Sequence, residues 1–378
     1  MTDVVALGEI LIDFTFAGKS ADGKNIYEEN PGGAPANCAC AVAKLGGKAA
    51  FVGMTGCDSF GEDLRATLAG LNVDVSGMRT TEKQHTTLAF VSLDANGERH
   101  FSFCRNPGAD TQLTEADLDM ELLKSTKILH VGSLSLTDQP AKSTTLKAIE
   151  VVKKAGGIIS YDPNWRANLW KGRSDAMDEL KSLFKYADIV KVSDEELALL
   201  FGDVTCEEGA AKIHAEGVKL IMITLGSKGV YYSAKTEGCT ASGTISVPKV
   251  KVADTTGAGD SFNGGLLFRL TRREKPLAFT KEELVEDINF ANSVASLCAG
   301  FAAPMPRVDE VEELYAKQSS EFDEEARSKM FARLESIFNE EVRRIPLIEN
   351  YTTCAYHNWV KGVDARPVEY LYYFKYWY

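Results

Sequence analysis

One glycine-rich stretch with an acidic residue, 254–265, has the composition of a site for phosphoryl chemistry. It reads DTTGAGDSFNGG and leads into an apolar helical pattern. The first backbone N–H groups of a helix lack intrahelical partners and lie at the positive end of its dipole, so this loop could bind a phosphate. Asp260 would repel that phosphate unless it takes a proton, and a general base must lie beside the hydroxyl that it deprotonates. One loop that holds both features fits phosphoryl transfer to an alcohol.

Two common nucleotide motifs do not fit this loop. A dinucleotide fingerprint needs a third glycine where Phe262 stands, and it usually follows the first strand of its unit. A Walker loop needs Lys and then Ser or Thr after its last glycine, but the chain has Asp260 and Ser261. A glycine loop before a helix is also often only a tight turn, so the loop alone favours phosphotransfer by a small margin.

The composition of the chain limits its function. A length of 378 residues allows one large core or two ordinary ones, and a formal net charge of −12 argues against general binding of nucleic acid or anionic membrane. We find no export signal and no apolar run that could span a bilayer. The eight scattered cysteines have no metal-ligand spacing, so we expect free thiols and a cytoplasmic protein.

A second glycine turn, NPGGAP at 30–35, precedes a small-residue helix predicted over 36–45. Gly32 and Gly33 would allow the backbone to approach a ligand closely, and Asn37 would lie in the first helical turn. By itself this segment is interpreted as a plain turn and helix start.

Predicted strands alternate with helices over much of the chain. Strands at 128–132, 158–162, 189–192 and 220–224, with helices at 142–155, 176–186 and after 193, indicate a mostly parallel sheet with helices on both faces. Ligands gather beyond the carboxyl ends of such strands. The polar residues that follow predicted strands should therefore share one rim with the 254–260 loop: Asp13, Ser133, Asp162, Asn164, Arg166, Ser193, Glu196, Thr224 and Gly226.

Several polar residues could bind phosphates, a metal ion or a nucleotide base. Arg166 and Lys191 would supply positive charge, and Glu196 could hold Mg²⁺ through water. Asn289 and Asn292, on a helix predicted over 280–298, could face a nucleotide base or form a solvated face. Each residue alone has an ordinary explanation, such as a helix cap for Ser193.

Two segments fall outside this alternation. Residues 86–93 and 98–103 alternate in polarity around DANG at 94–97, which predicts a hairpin that could act as a lid or an edge platform. Beyond a first unit at 1–313, residues 314–378 contain a predicted amphipathic helix at 321–344 and an aromatic-rich tail. The tail could dock on the body, self-associate, bind a partner or have no function.

The two glycine motifs, in this order and spacing, resemble the signatures of ribokinase-like (PfkB-type) carbohydrate kinases over roughly 3–313. Segments at 8–13, 105–107, 161–166 and 191–193 are most similar to bacterial and plant-type fructokinases. The resemblance implies an α/β three-layer sandwich with a mostly parallel central sheet. It also implies a small β-lid, built from parts of 14–30 and 86–104, that closes over the sugar and excludes water.

The resemblance further implies ATP-dependent phosphorylation of a sugar primary alcohol, for fructose giving fructose 6-phosphate, with ATP and Mg²⁺ as cofactors. Homodimerisation through the β-lid is one arrangement that it suggests. Asp260 would be the base, and the amides of Gly257, Ala258 and Gly259 would form the anion hole. The sugar would contact Asp13, Gly32, Gly33, Asn37, Arg105 and Arg166. The nucleotide would contact Asn164, Lys191, Ser193, Glu196, Thr224, Gly226, Gly229, Thr256, Asn289 and Asn292.

The chain departs from the family pattern in three places. Ser193 replaces the first residue of an Asn-x-x-Glu motif whose Glu196 is kept. The segment 298–306 lacks the basic-Gly-Ala run that supplies carbonyls to a monovalent cation in many relatives, which weighs against activation by K⁺. The tail does not match at all.

Three other functions compete with a fructokinase-like activity. A different sugar, such as ribose or 2-keto-3-deoxygluconate, stays open because few residues read the hydroxyls. A non-catalytic scaffold is disfavoured because Asp260 and the loop glycines are intact. A dinucleotide oxidoreductase is disfavoured by Phe262 and by the loop's late position.

Overall fold

The computed structural model describes residues 1–93, 99–170, 172–248 and 255–300. The strands within them are β1 (Thr2–Leu7), β2 (Leu11–Lys19), β3 (Asn25–Gly32), β4 (Ala49–Gly56), β5 (Met78–Thr81), β6 (Leu88–Leu93), β7 (Arg99–Cys104), β8 (Thr126–Gly132), β9 (Ile158–Asp162), β10 (Ile189–Ser193), β11 (Leu220–Thr224), β12 (Val230–Lys235) and β13 (Thr240–Ile245). The α-helices are α1 (Ala34–Lys44), α2 (Ser59–Gly70), α3 (Met120–Lys124), α4 (Ala141–Lys154), α5 (Ala176–Ser182), α6 (Asp194–Phe201), α7 (Cys206–Ala215), α8 (Ala258–Thr271) and α9 (Lys281–Gly300). The predicted amphipathic helix and aromatic tail lie outside the described residues.

The large sheet has nine strands in the order β13-β12-β11-β10-β9-β8-β1-β4-β5. The seven strands β11, β10, β9, β8, β1, β4 and β5 pair in parallel, whereas β12 and β13 are added antiparallel at one side of the sheet. This arrangement confirms the predicted mostly parallel sheet. The predicted helix at 176–186 is shorter than expected, because α5 ends at Ser182.

Both faces of the large sheet are covered, which makes three layers. Val4 and Ala6 of β1 belong to one apolar cluster, with residues of α1, α8 and α9. Val5 and Leu7 belong to a second cluster, with residues of α4, α6 and α7. Side chains alternate between the faces of a strand, so a strand that is buried on both faces reads as a continuous apolar run.

The small sheet consists of four strands in the order β3-β2-β6-β7. Strands β6 and β7 pair antiparallel from Leu88 opposite Cys104 to Leu93 opposite Arg99, which confirms the predicted hairpin. Residues 94–98 at its turn lie outside the described residues. The small sheet unites the two segments in which we expected a lid. Asp13 lies within β2, so the expectation that it follows a strand of the large sheet was wrong, although its carboxylate interacts with that of Asp260 in the loop.

Two further expectations concern the cysteines and membrane-spanning segments. Every cysteine within the described ranges is a free thiol. None of the helices in that part of the chain is long and apolar enough to cross a membrane.

Helix α8 packs closely against its neighbours because two of its residues lack side chains. A Cβ atom on Gly264 would overlap the side chain of Ala41 on α1. A Cβ atom on Gly265 would lie 3.1 Å from the Cα atom of Ala291 on α9. These glycines therefore let α8 fit between α1 and α9 and fix where its N-terminus lies.

Gly264→Ala should lower the free energy of unfolding by about 1–3 kcal/mol, because overpacking outweighs the better helix propensity of alanine. Gly70→Ala is a matched control, since a Cβ at this helical residue meets nothing within 4 Å. Chemical denaturation of both variants tests the expectation. Equal stability of the two would contradict this role of Gly264.

Candidate active site

The candidate site lies at the carboxyl edge of the large sheet. Strand β8 ends at Gly132, β9 at Asp162, β10 at Ser193 and β11 at Thr224. The parallel register aligns Gly132 with Asp162 and Ser193 with Thr224. The predicted rim of polar residues beyond the strands is therefore present.

The glycine loop opens helix α8. Gly257 caps the helix with φ 74° and ψ −1°, a left-handed conformation that glycine adopts without steric cost. Thr255 and Thr256 are exposed, and Gly257 to Asp260 are partly buried. A Cβ on Gly259 would lie 3.2 Å from the Nζ atom of Lys191, so the loop passes directly over that ammonium group. The N–H of Ala258 donates to the carbonyl of Thr255 at 3.2 Å. The helix N-terminus and the nearby cation together suit a phosphate.

Asp260 lies in the first turn of α8, and its Oδ2 atom accepts a hydrogen bond of 2.8 Å from Nδ2 of Asn37. This bond joins the first turns of α1 and α8. Burial raises the pKa of Asp260 to about 6, and the charge of Asp162 adds to the effect. The Asn37 bond, Lys191 and Arg166 act in the opposite direction. A carboxylate with this pKa is ionised at neutral pH and is still basic enough to take a proton.

Asp162 is the centre of the hydrogen bonding beneath the loop. Its Oδ2 atom accepts hydrogen bonds from Nζ of Lys191 at 3.0 Å and from Nδ2 of Asn263 at 2.7 Å. Its Oδ1 atom accepts one from the backbone of Asn164 at 3.1 Å. Although burial opposes the charge on Lys191, the carboxylates of Asp162, Glu196 and Asp260 raise its pKa. The ammonium group is therefore held charged under the loop.

The expected sugar side contains Asp13, Arg166 and the glycine pair. Burial raises the pKa of Asp13 to about 6, Arg166 opposes this shift, and Asp260 adds to it. The three side chains are therefore electrostatic neighbours. A Cβ on Gly32 would overlap Oδ2 of Asp13, and Gly33 has φ 113° at the N-cap of α1. The pair thus allows the turn to approach the protein's own backbone and Asp13.

Arg105 is held by the protein itself. Its side chain is only 3% exposed, and Nη2 lies 2.7 Å from Oδ2 of Asp110. Nε also donates to Asp110, Nη1 donates to Thr137, and Nη2 donates to the carbonyl of Leu134. A sugar contact by Arg105 stays a prediction, and all of these donors point into the protein.

On the expected nucleotide side, Glu196 fixes two backbone segments. Its Oε2 atom accepts from the N–H of Ser193 at 2.8 Å, and Ser193 Oγ accepts from the N–H of Glu196 at 3.0 Å. This reciprocal pair is a capping box for α6, so Ser193 is a helix cap. Oε1 of Glu196 accepts from the N–H of Trp165 at 2.7 Å, next to Asn164 in a left-handed conformation (φ 44°).

The other expected nucleotide residues lie on two elements. Thr224 ends β11, and Gly226 and Gly229 form the tight turn into β12. Asn292 on α9 is 3% exposed, and its Nδ2 atom has no hydrogen-bond partner in the described part of the chain. Asn289 on the same helix is partly buried. The buried amide of Asn292 does not belong to a solvated face.

Metal binding by side chains alone finds little support. No group of three or more His, Cys, Asp or Glu side chains within the described ranges could hold an ion. Each carboxylate oxygen of Glu196 already accepts one backbone N–H but has further acceptor capacity. Glu196 could therefore contact a hydrated cation that arrives with a nucleotide.

Sequence reasoning assigned no role to two residues that organise the site. Asn263 donates to Asp162 across 101 positions of the chain. Glu9 accepts the N–H of Ala34 at 3.1 Å, and burial raises its pKa to about 7. Asn263 lies inside the motif at 254–265, and Glu9 lies inside the segment at 8–13. Their place in these motifs was the signal in the sequence that could have identified them.

The sheet order, the smaller sheet and the helix-opening glycine loop define a ribokinase-like α/β fold. Comparison with known proteins carries the assignment further. The family "pfkB family carbohydrate kinase" matches residues 1–303. The chain belongs to this family and is a carbohydrate kinase.

Individual relatives agree with this assignment. Fructokinase-1 of Oryza sativa subsp. japonica is 44% identical over 84% of this chain and 98% of its own length. The structure of a fructokinase with bound ATP from Xylella fastidiosa has a TM-score of 0.77 and 32% identity, over 85% of this chain and all (100%) of that one. A fructokinase double mutant from Vibrio cholerae O395, solved with fructose, ADP and potassium, has a TM-score of 0.70 and 33% identity, over 82% of this chain and 94% of that one.

If Asp260 is the general base, its raised pKa predicts how the kinase activity depends on pH. Only the ionised carboxylate can take a proton, so kcat/KM should fall about tenfold per pH unit below the pKa of about 6. Asn37→Leu removes a hydrogen bond that lowers this pKa, so the acid limb should move to higher pH. Initial rates between pH 4.5 and 8 measure the acid limb of the wild-type protein and that of Asn37→Leu. A wild-type limb near pH 4, the ordinary value for Asp, would contradict the assignment.

Proposed function

We propose that this chain transfers the γ-phosphoryl group of ATP to the C6 hydroxyl of D-fructose. The observation that carries the proposal is Asp260, which stands in the first turn of a helix whose N-terminal end can stabilise phosphoryl charge. The names and bound molecules of the related fructokinases support ATP and fructose as the substrates.

The proposed reaction needs a base and an anion hole at one place. Asp260 takes the proton from the sugar hydroxyl as its oxygen attacks the γ-phosphorus, and the bond from that phosphorus to the bridging oxygen of ADP breaks. The amides of Gly257, Ala258 and Gly259 face the charge on the transferring group, and Lys191 lies beneath them. Asn37 holds the carboxylate by its Oδ2 atom and so orients it.

The substrates would lie on opposite sides of the loop. Asp13, the turn at Gly32 and Gly33, and Arg166 would surround the sugar. The turn after β11, the Asn164 segment and Asn292 would face the nucleotide, whose Mg²⁺ would neutralise phosphate charge and contact Glu196 through water. The small sheet would close over the sugar and exclude water, which otherwise competes as acceptor. We also propose a cytosolic location and a homodimer through the small sheet.

A monovalent cation is a separate question for this chain. The Vibrio cholerae relative was solved with potassium, whereas the segment 298–306 here lacks the basic-Gly-Ala run. We propose that the missing run weakens or removes activation by K⁺, and initial rates in K⁺ and in tetramethylammonium buffers test this.

Substrate choice is tested by ADP release with Mg·ATP and a panel of fructose, ribose, tagatose, glucose and 2-keto-3-deoxygluconate. We expect kcat/KM for fructose to exceed that for the next sugar by about tenfold or more. A higher value for ribose or the sugar acid would replace fructose as the substrate. ATP binding without turnover on any sugar would favour the scaffold.

Asp260→Asn should reduce kcat by about 10²–10⁴-fold or more, because the amide keeps the shape but cannot take the proton. ATP binding and the unfolding midpoint should stay close to wild type. Steady-state rates, calorimetry with ATP and thermal unfolding measure the three quantities. A near-normal kcat would exclude Asp260 as the base.

A further inference from the structure

Three buried side chains join the base of the β6–β7 hairpin to the body of the protein. Asp110 is the centre of this group, and its side chain is 2% exposed. Its Oδ1 atom accepts a hydrogen bond of 2.5 Å from Oγ1 of Thr87, and Oδ2 accepts one of 2.8 Å from Nε of Arg105. One carboxylate therefore holds two residues that lie 18 positions apart in the sequence, 87 and 105.

These two residues are the ends of the hairpin. Thr87 immediately precedes β6, and Arg105 immediately follows β7. The paired strands meet there, with Leu88 opposite Cys104. Fixing both ends fixes the direction in which the hairpin leaves the body.

The body side of the group is equally well anchored. Arg105 donates through Nη1 to Thr137 at 2.8 Å and through Nη2 to the carbonyl of Leu134 at 3.0 Å, both beyond the end of β8. Asp110 lies in a 3₁₀ turn, preceded by Ala109, whose N–H donates to the carbonyl of His85. The hairpin is thus tied to the edge of the large sheet that carries the site.

Gly108 provides independent evidence that this contact is a close one. A Cβ atom there would overlap Oγ1 of Thr87 and would lie 2.7 Å from Oδ1 of Asp110. It would also lie 2.9 Å from Cγ of Arg105. The backbone at Gly108 has φ −89°, an ordinary value, so space and not conformation explains the missing side chain.

The same group reaches Asp13 through the backbone. The carbonyl of Thr87 accepts the N–H of Ile12 at 3.1 Å. In the register between β2 and β6, Asp13 stands opposite Ala89. A change at Asp110 or Thr87 is therefore transmitted to the strand that carries the expected sugar ligand.

We propose that Asp110, acting through Thr87 and Arg105, is a positioning residue that sets the small sheet and Asp13 over the acceptor sugar. This inference rests on the proposed function, since it requires a sugar site under the small sheet. Asp110 neutralises the charge of Arg105. Arg105 therefore acts on the sugar indirectly, as part of the group formed by Thr87, Arg105 and Asp110. The residues expected to contact the nucleotide, such as Thr224 on β11 and Asn292 on α9, do not belong to this group.

The test is Thr87→Val. This change keeps the shape of the side chain and removes only the hydroxyl that donates a hydrogen bond to Asp110. We expect the KM for fructose to rise about tenfold while the KM for ATP stays within about twofold, because only the sugar side is displaced. We also expect more ADP to be released per sugar phosphate formed, since a displaced lid admits water as acceptor. Thr87→Ser retains the hydroxyl and should restore both quantities.

A matched control separates positioning from a general loss of stability. Asp188 is a buried carboxylate that accepts from Nζ of Lys219 at 2.9 Å and from the N–H of Ile159 at 3.1 Å. It immediately precedes β10 and so lies at the amino ends of the parallel strands, away from the carboxyl ends that carry the site. Asp188→Asn should lower the thermal midpoint but leave both KM values and the ADP ratio unchanged.

Two results would overturn the inference. One is a Thr87→Val protein with wild-type KM for fructose and a wild-type ratio of ADP to sugar phosphate. The other is an Asp188→Asn protein that shows the same two changes as Thr87→Val. Thr87→Ala carries the same expectations if Thr87→Val does not fold. A wild-type chain that phosphorylates no sugar contradicts the proposed function itself, whereas either result above leaves that function standing.

Discussion

Asp162 stands at the end of β9 with its carboxylate enclosed, and three parts of the site take their positions from it. It holds Lys191 of the neighbouring strand, Asn263 of helix α8 and the backbone of Asn164. The residue is 2% exposed, so these partners replace water for its charge. Removing one member of a buried ion pair typically costs about 3–5 kcal/mol, because the other charge is left uncompensated. The loop and its cation therefore keep one arrangement before any substrate binds.

The same concentration of charge sets the reactivity of the site. Asp260 and Asp13 both have pKa values raised to about 6, while the pKa of Lys191 is raised by the acids around it. Two acids and a buried cation in one cluster favour proton transfer at neutral pH, since a base works best when its pKa lies near the operating pH. The hydrogen bond from Asn37 limits the shift and keeps Asp260 ionised at pH 7.

The sequence predicted much of this arrangement, and the reason is local periodicity. Strand ends such as Asp162 and Ser193 could be placed because apolar runs stop there, and the β6–β7 hairpin because polarity alternates around a turn. Contacts between distant segments could not be predicted. Asn37 and Asp260 are 223 positions apart, and nothing in either segment states that they meet. The ion pair between Arg105 and Asp110 likewise could not be identified from spacing alone.

The structure of the product shows whether this pfkB-family chain phosphorylates C6 of fructose. The chain is incubated with Mg·ATP and uniformly ¹³C-labelled fructose, and the product is examined by ¹³C and ³¹P NMR. We expect a single phosphate ester whose phosphorus couples to C6. An ester at C1, or inorganic phosphate as the only new phosphorus signal besides ADP, would contradict it.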